Sequence, residues 1–119
     1  MARTAMAAQT PKGPYPGTVA ANSLDIAWAA ADATNFNTTP FVGSRMILSA
    51  RNSGAGARTI TFTSIGDAKG RTGDITAFSI GAGEYVDFIF EREGWQQADG
   101  ALYWAAEHAE VLVAIRVIP

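Results

Sequence analysis

Between residues 65 and 110 the chain alternates short runs of apolar and β-branched residues with Gly- and Asp-rich turns at nearly even spacing. That rhythm leaves little room for long helices and predicts an all-β sandwich or barrel. No stretch holds a convincing helical period. Residues 101–113 can be forced into one, but adjacent Tyr103 and Trp104 and the β-branched run beyond them weigh against it. Along the whole chain, strands are expected over residues 24–30, 41–52, 58–65, 75–80, 84–90, 102–106 and 111–118. The polar tract 32–40 reads as a loop. The turn Asn52-Ser53-Gly54-Ala55-Gly56 suggests that its flanking strands form a hairpin. The expected architecture is a single-domain antiparallel β-sandwich or barrel of about seven short strands.

The parity of side chains assigns faces within these strands, because successive residues point to opposite sides. Ile60 and Phe62 share one face, and Thr59, Thr61 and Thr63 the other. Leu24, Ile26 and Trp28 have one parity, which places Trp28 in the core. The last strand is apolar on both faces: Val111, Val113, Ile115 and Val117 on one, Leu112, Ala114 and Ile118 beside Arg116 on the other. A two-faced apolar strand needs cover on both sides. The Leu112 and Ile118 side needs a loop, the arm or a second subunit, and a second subunit is the expected cover.

Residues 1–17 are small and polar, with Pro11, Pro14 and Pro16 set among glycines. Proline removes backbone donors and fixes φ, so this segment resists helix and central strand alike. It is expected to be an extended N-terminal arm on a β domain of residues 18–119. Tyr15, held between two prolines, is the expected anchor if the arm orders on a neighbour.

Charge narrows the class of partner. Charged residues make up 17% of 119, low for a soluble domain. Residues 1–60 carry five basic and two acidic groups, whereas 61–119 carry four basic and nine acidic. Opposite balances allow the front of one copy to meet the back of another. They argue against nucleic acid, which calls for a clustered basic patch. The longest apolar run, 111–115, is too short to span a bilayer, and no apolar leader segment opens the chain, so synthesis in the cytosol is expected.

Chemistry is nearly absent. There is no cysteine, and the single histidine, His108, lies between Glu107 and Glu110, where a surface or capping role is expected. A transition-metal site has no second soft ligand, and no Gly-x-Ser-x-Gly nucleophile turn occurs. Residues 67–74 fail the calcium pattern, because Lys69 and Arg71 stand where oxygen ligands belong, and they fail the phosphate-loop order too. With Asp74 they read either as a solvated turn or as a charged contact to a neighbouring subunit. Trp104 is expected in the core. Trp95, after Gly94 in a turn, is the one tryptophan placed to be an exposed platform, and it suits an interface better than a sugar. No enzyme activity and no cofactor is expected.

Residues 45–64, the run Gly70-Arg71-Thr72-Gly73-Asp74-Ile75-Thr76 with Ala77-Phe78, and residues 93–100 resemble small virion proteins of tailed bacteriophages. Those similar in size and layout are the capsid decoration, or cement, proteins. The resemblance covers about residues 13–118 and implies a β-rich homotrimer bound to the major capsid protein on the outer surface of an icosahedral head, where it stabilises the expanded lattice by binding energy alone. The contact residues expected on this reading are Pro11, Pro14, Tyr15, Pro16, Lys69, Arg71, Asp74, Trp95, Leu112 and Ile118. A glycan- or receptor-binding module on the head and a head–tail joining or tail protein are the alternatives.

Overall fold

The structure, a computed structural model, describes residues 3–10, 26–66, 69–70 and 73–118. It is a two-sheet β-sandwich. Among the described residues nine strands follow in order: β1 (Thr4–Ala5), β2 (Ala29–Ala30), β3 (Asn37–Pro40), β4 (Arg45–Asn52), β5 (Arg58–Thr63), β6 (Ile75–Ile80), β7 (Tyr85–Glu91), β8 (Ala101–Ala106) and β9 (Val111–Val117). Sheet A has the spatial order β1-β3-β8-β5-β6, and sheet B the order β2-β9-β4-β7. All pairs are antiparallel except β1 with β3. Consecutive strands switch sheets at every link but one, that between β5 and β6. The hairpin expected around residues 52–56 therefore does not form. β4 pairs with β7 and β9, while β5 pairs with β6 and β8. The Gly-rich turn reverses the chain but carries it across to the opposite sheet.

The inner faces make one core. Met46, Leu48 and Ala50 of β4, Phe90 of β7, and Val111, Val113 and Ile115 of β9 meet Ile60, Phe62, Ile80, Leu102, Trp104 and Ala106 from sheet A. Period-two patterning produces this directly, since each of those residues alternates with a more exposed neighbour. Phe62 sits 4.7 Å, centroid to centroid, from both Phe88 and Phe90, so the two sheets grip each other through aromatic edges.

β3 falls in the tract expected to be a loop. Its inward residues, Asn37 and Thr39, are polar yet buried, which is why no apolar alternation marks it. Both are satisfied. The Asn37 carboxamide accepts the Asp32 amide (2.8 Å) and donates to the Thr4 carbonyl (3.3 Å), and Trp104 Nε1 donates to Thr39 Oγ1 at 3.1 Å.

Residues 3–10, the described part of the extended arm expected over 1–17, run along the sandwich and hydrogen-bond to it. Thr4 and Ala5 pair with Asn37 and Thr38. Farther on, the Gln9 amide donates to the Ile115 carbonyl at 2.7 Å, and Val117 donates back to Gln9 at 2.8 Å. Backbone donors at non-proline positions make this possible; the prolines, like Tyr15, lie outside the described residues. Of the strand expected over 24–30, the described part forms only β2.

Candidate interaction surface

The outer face of sheet B is assembled by register. Arg51 of β4 lies opposite Tyr85 of β7 and Leu112 of β9, Ile47 opposite Ile89 and Arg116, Ser49 opposite Asp87 and Ala114, and Arg45 opposite Glu91. Trp28 joins them just before β2. Its ring meets Tyr85 edge-on at 6.1 Å, with the Arg51 guanidinium 5.9 Å from the Trp28 centroid and 5.1 Å from that of Tyr85. A guanidinium between two aromatic rings is held by cation–π attraction. Beside it, Arg116 Nη2 donates to Ser49 Oγ at 2.8 Å, and Ser49 Oγ donates to the Asp87 carboxylate. The Nε–H groups of Arg51 and Arg116 are buried and have no acceptor among the described residues. Tyr85 and Ile89 remain 63% and 62% exposed. The face thus combines aromatic rings, isoleucines and charges mostly neutralised in place.

Trp28 is consequently not a core residue. Its parity with Ile26 was the ground for placing it inside, but Ile26 is itself exposed and Trp28 is only half-buried. Arg51 and Tyr85, its partners, are distant in sequence, so no local pattern marked the cluster.

No family model, no curated protein and no solved structure matches this chain. Its surfaces must therefore be read on their own chemistry.

Leu112 and Ile118 project on the outer face of sheet B and are half-buried there. Trp95, expected as an exposed platform, is instead half-buried, its ring 4.9 Å from that of Phe90 at 70°. It caps one end of the core, because the turn bonds Trp95 N and Gln96 N to Arg92 O fold the segment inward. Lys69 and Asp74 are exposed. Asp74 Oδ1 accepts both the amide and the hydroxyl of Ser64, at 2.7 and 2.6 Å, and these bonds lower its pKa. It ties the 64–74 connection to itself. Pro11, Pro14, Tyr15, Pro16 and Arg71 lie outside the described residues. Of the five expected contact residues that are described, Leu112 and Ile118 share one face.

His108 accepts the Glu110 amide at Nδ1 (3.0 Å), closing the turn before β9. Glu110 in turn receives Arg58 Nε at 2.9 Å. Among the described residues no group of three or more His, Asp or Glu side chains is placed to hold a metal ion.

The outer face of sheet A is different in kind. A depression of about 380 Å³ is lined by Arg3, Phe36, Thr59, Thr61, Thr63, Ala105, Ala106 and Glu107. Arg3 Nη1 donates to the carbonyls of Asn37 (2.9 Å) and Trp104 (3.0 Å), which fixes the guanidinium 4.4 Å from the Tyr103 ring centroid and 5.6 Å from that of Phe36. Phe36 adopts φ of 65°, a left-handed conformation that a bulky side chain rarely takes, and it is 44% exposed. Tyr103 Oη donates to Asp99 at 2.7 Å, and that bond, with burial and the nearby carboxylate charge, raises its pKa while Arg3 opposes the shift.

Proposed function

We propose that this protein is a structural binding module that stabilises a repeating protein lattice from outside, as the capsid decoration proteins it resembles do for expanded phage heads. The observation that carries the reading is the Trp28–Arg51–Tyr85 cluster on the outer face of sheet B, flanked by Ile47, Ile89 and Leu112. Tryptophan, tyrosine and arginine dominate the energetics of protein interfaces, because they bury large areas while keeping a polar handle. The work is done by burial alone. At about 25 cal/mol per Å², a standard interface of about 1,600 Å² holds a surplus after the cost of association.

Co-sedimentation with expanded heads of the virus that encodes the chain tests this. Wild-type protein should pellet with the heads, and Trp28→Ala or Arg51→Ala should weaken binding about tenfold or more, as loss of a central interface residue does. A wild-type protein that stays in the supernatant refutes the reading. Full binding by both variants removes this face from it.

The depression on sheet A favours a second reading, a module that holds a small polar ligand such as a glycan between the Phe36 ring, the threonine hydroxyls and Glu107. Glycan-array binding lost in Phe36→Ala would select it. Silence on the array leaves the lattice reading alone.

A further inference from the structure

A β-sandwich has four lateral edges, and an uncovered edge strand invites pairing with another chain. Three edges here are blunted by familiar means. β1 and β2 are two residues long, and Gln9 caps the neighbouring length of β9. β6 carries a register shift against β5 near Ala77, which takes φ of 52° and donates its amide to Thr61 Oγ1. Among the described residues, β7 has no such device. It runs seven residues in unbroken register with β4, from Tyr85 to Glu91, without proline, lysine or bulge.

The direction of its free groups follows from the bonds around it. Asn52 N donates to Glu84 O, which sets the phase of the β4–β7 ladder. On the far side of β4, the carbonyls of Val111 and Ile115 and the amide of Val117 bond away from β4, so odd-numbered β9 residues face outward. Even-numbered residues of β4 therefore bond to β7, and Val86, Phe88 and Phe90 are the β7 residues that answer them. The N–H and C=O groups of Tyr85, Asp87, Ile89 and Glu91 point away from the sheet, with no hydrogen-bond partner among the described residues.

We propose that this edge pairs antiparallel with β7 of a second copy, on a two-fold axis through Phe88. Charge and the length of the paired edge together select the register, because an axis through Phe88 pairs all four outward residues of β7. Glu91 lies 3.7 Å from Arg45, and Asp87 is bonded through Ser49 to Arg116, so a like edge is not repelled as a bare acidic one would be. An axis through Asp87 sets two Asp87 carboxylates face to face. An axis through Ile89 sets Asp87 against Glu91. Both are unfavourable, because like charges directly opposite destabilise a pair. The axis through Phe88 sets Asp87 against the second copy's Ile89, and Tyr85 against the second copy's Glu91. The outer row then reads Arg51, Tyr85, Glu91, Arg45 across the junction, which sets the carboxylate between the Tyr85 ring and the Arg45 guanidinium of its own copy. The two most exposed large side chains of β7, Tyr85 and Ile89, lie in the strip that this contact covers.

Sedimentation equilibrium and residue-resolved amide exchange on the wild-type chain test the pairing. A reversible dimer of the 12.5 kDa chain is expected. In the dilute monomer the amides of Val86, Phe88 and Phe90 are protected while those of Tyr85, Asp87, Ile89 and Glu91 exchange freely. In the concentrated sample the second set should gain about tenfold protection or more, abolishing the alternation. Ile89→Lys, on the solvent face, should remain folded and stay monomeric. A wild-type chain that is monomeric throughout, a trimer, or a dimer in which the alternation persists each overturns the proposal. So does an Ile89→Lys variant that associates as tightly as wild type. If that variant does not fold, the wild-type exchange pattern decides.

Discussion

Asn52 is the side chain whose loss should be felt most for its size. It is fully buried at the end of β4, and its carboxamide makes three hydrogen bonds. Nδ2 donates to Gly56 O (2.7 Å) and to Ile80 O (2.9 Å), and Oδ1 accepts the Gly54 amide at 2.9 Å. One bond crosses from sheet B to β6 of sheet A, and the other two hold the 53–57 turn. Asn52→Ala leaves two carbonyls and one amide without their partner. At about 1 kcal/mol net for each bond, the loss is about 3 kcal/mol, and it approaches about 5 if the orphaned groups stay dry. For a chain this long, 1 kcal/mol moves the midpoint by roughly 4 °C, so Tm should fall by about 12 °C or more. Calorimetry and urea titration measure both quantities. Asn52→Asp gives a sharper check: it keeps the acceptor but turns a carboxylate toward two carbonyl oxygens. Its folded-state pKa should be raised, so its deficit should be large at neutral pH and shrink as pH falls through the carboxylate range, where a protonated acid regains one donor. A loss under about 1 kcal/mol in Asn52→Ala, well below the bonds removed, would refute the reasoning.

Two further outcomes follow from titratable groups. Asp32 is held at about 2, below its ordinary 3.8, first by the Thr4 hydroxyl and then by the Asn35 amide; the stability it adds is present above the ordinary value and lost as pH falls through about 2, so Asp32→Asn should flatten urea-measured stability across that window. Tyr103 should ionise above the usual tyrosine range in an ultraviolet titration corrected with Tyr103→Phe; Asp99→Asn should lower that midpoint and Arg3→Ala should raise it further, and shifts of the same sign would contradict the geometry.

How far sequence reached depended on whether the relevant contact was local. The alternation of Ile60 and Phe62 with threonines, and of Val111, Val113 and Ile115 with their neighbours, correctly separates inner from outer faces. β3 escaped because its inward residues are polar and are stabilised by hydrogen bonds donated by the Asp32 amide and Trp104 and accepted by the Thr4 carbonyl, none of which has a sequence signature. The turn at 52–56 was readable as a turn but not as a sheet crossing, since the same backbone reversal serves both. Trp28 was misplaced because parity only has meaning inside a strand, and β2 begins one residue later. The Arg51–Tyr85 pairing that gathers it depends on the β4–β7 register, which spans more than thirty positions.

The habit of consecutive strands to switch sheets bears on how such a chain reaches its native state. Among the described strands, only β5 and β6 are neighbours both in sequence and in a sheet, so of these only they can zip up as a local unit. Every other ladder must first close a long loop, and β9, the last strand in order, fills an interior place between β2 and β4. Until that strand arrives, sheet B is reduced to the β4–β7 ladder, and β2 has nothing to pair with. Acquisition of structure should therefore be late, concerted and slow for a chain of this size, with the unpaired strands vulnerable to aggregation in the interval.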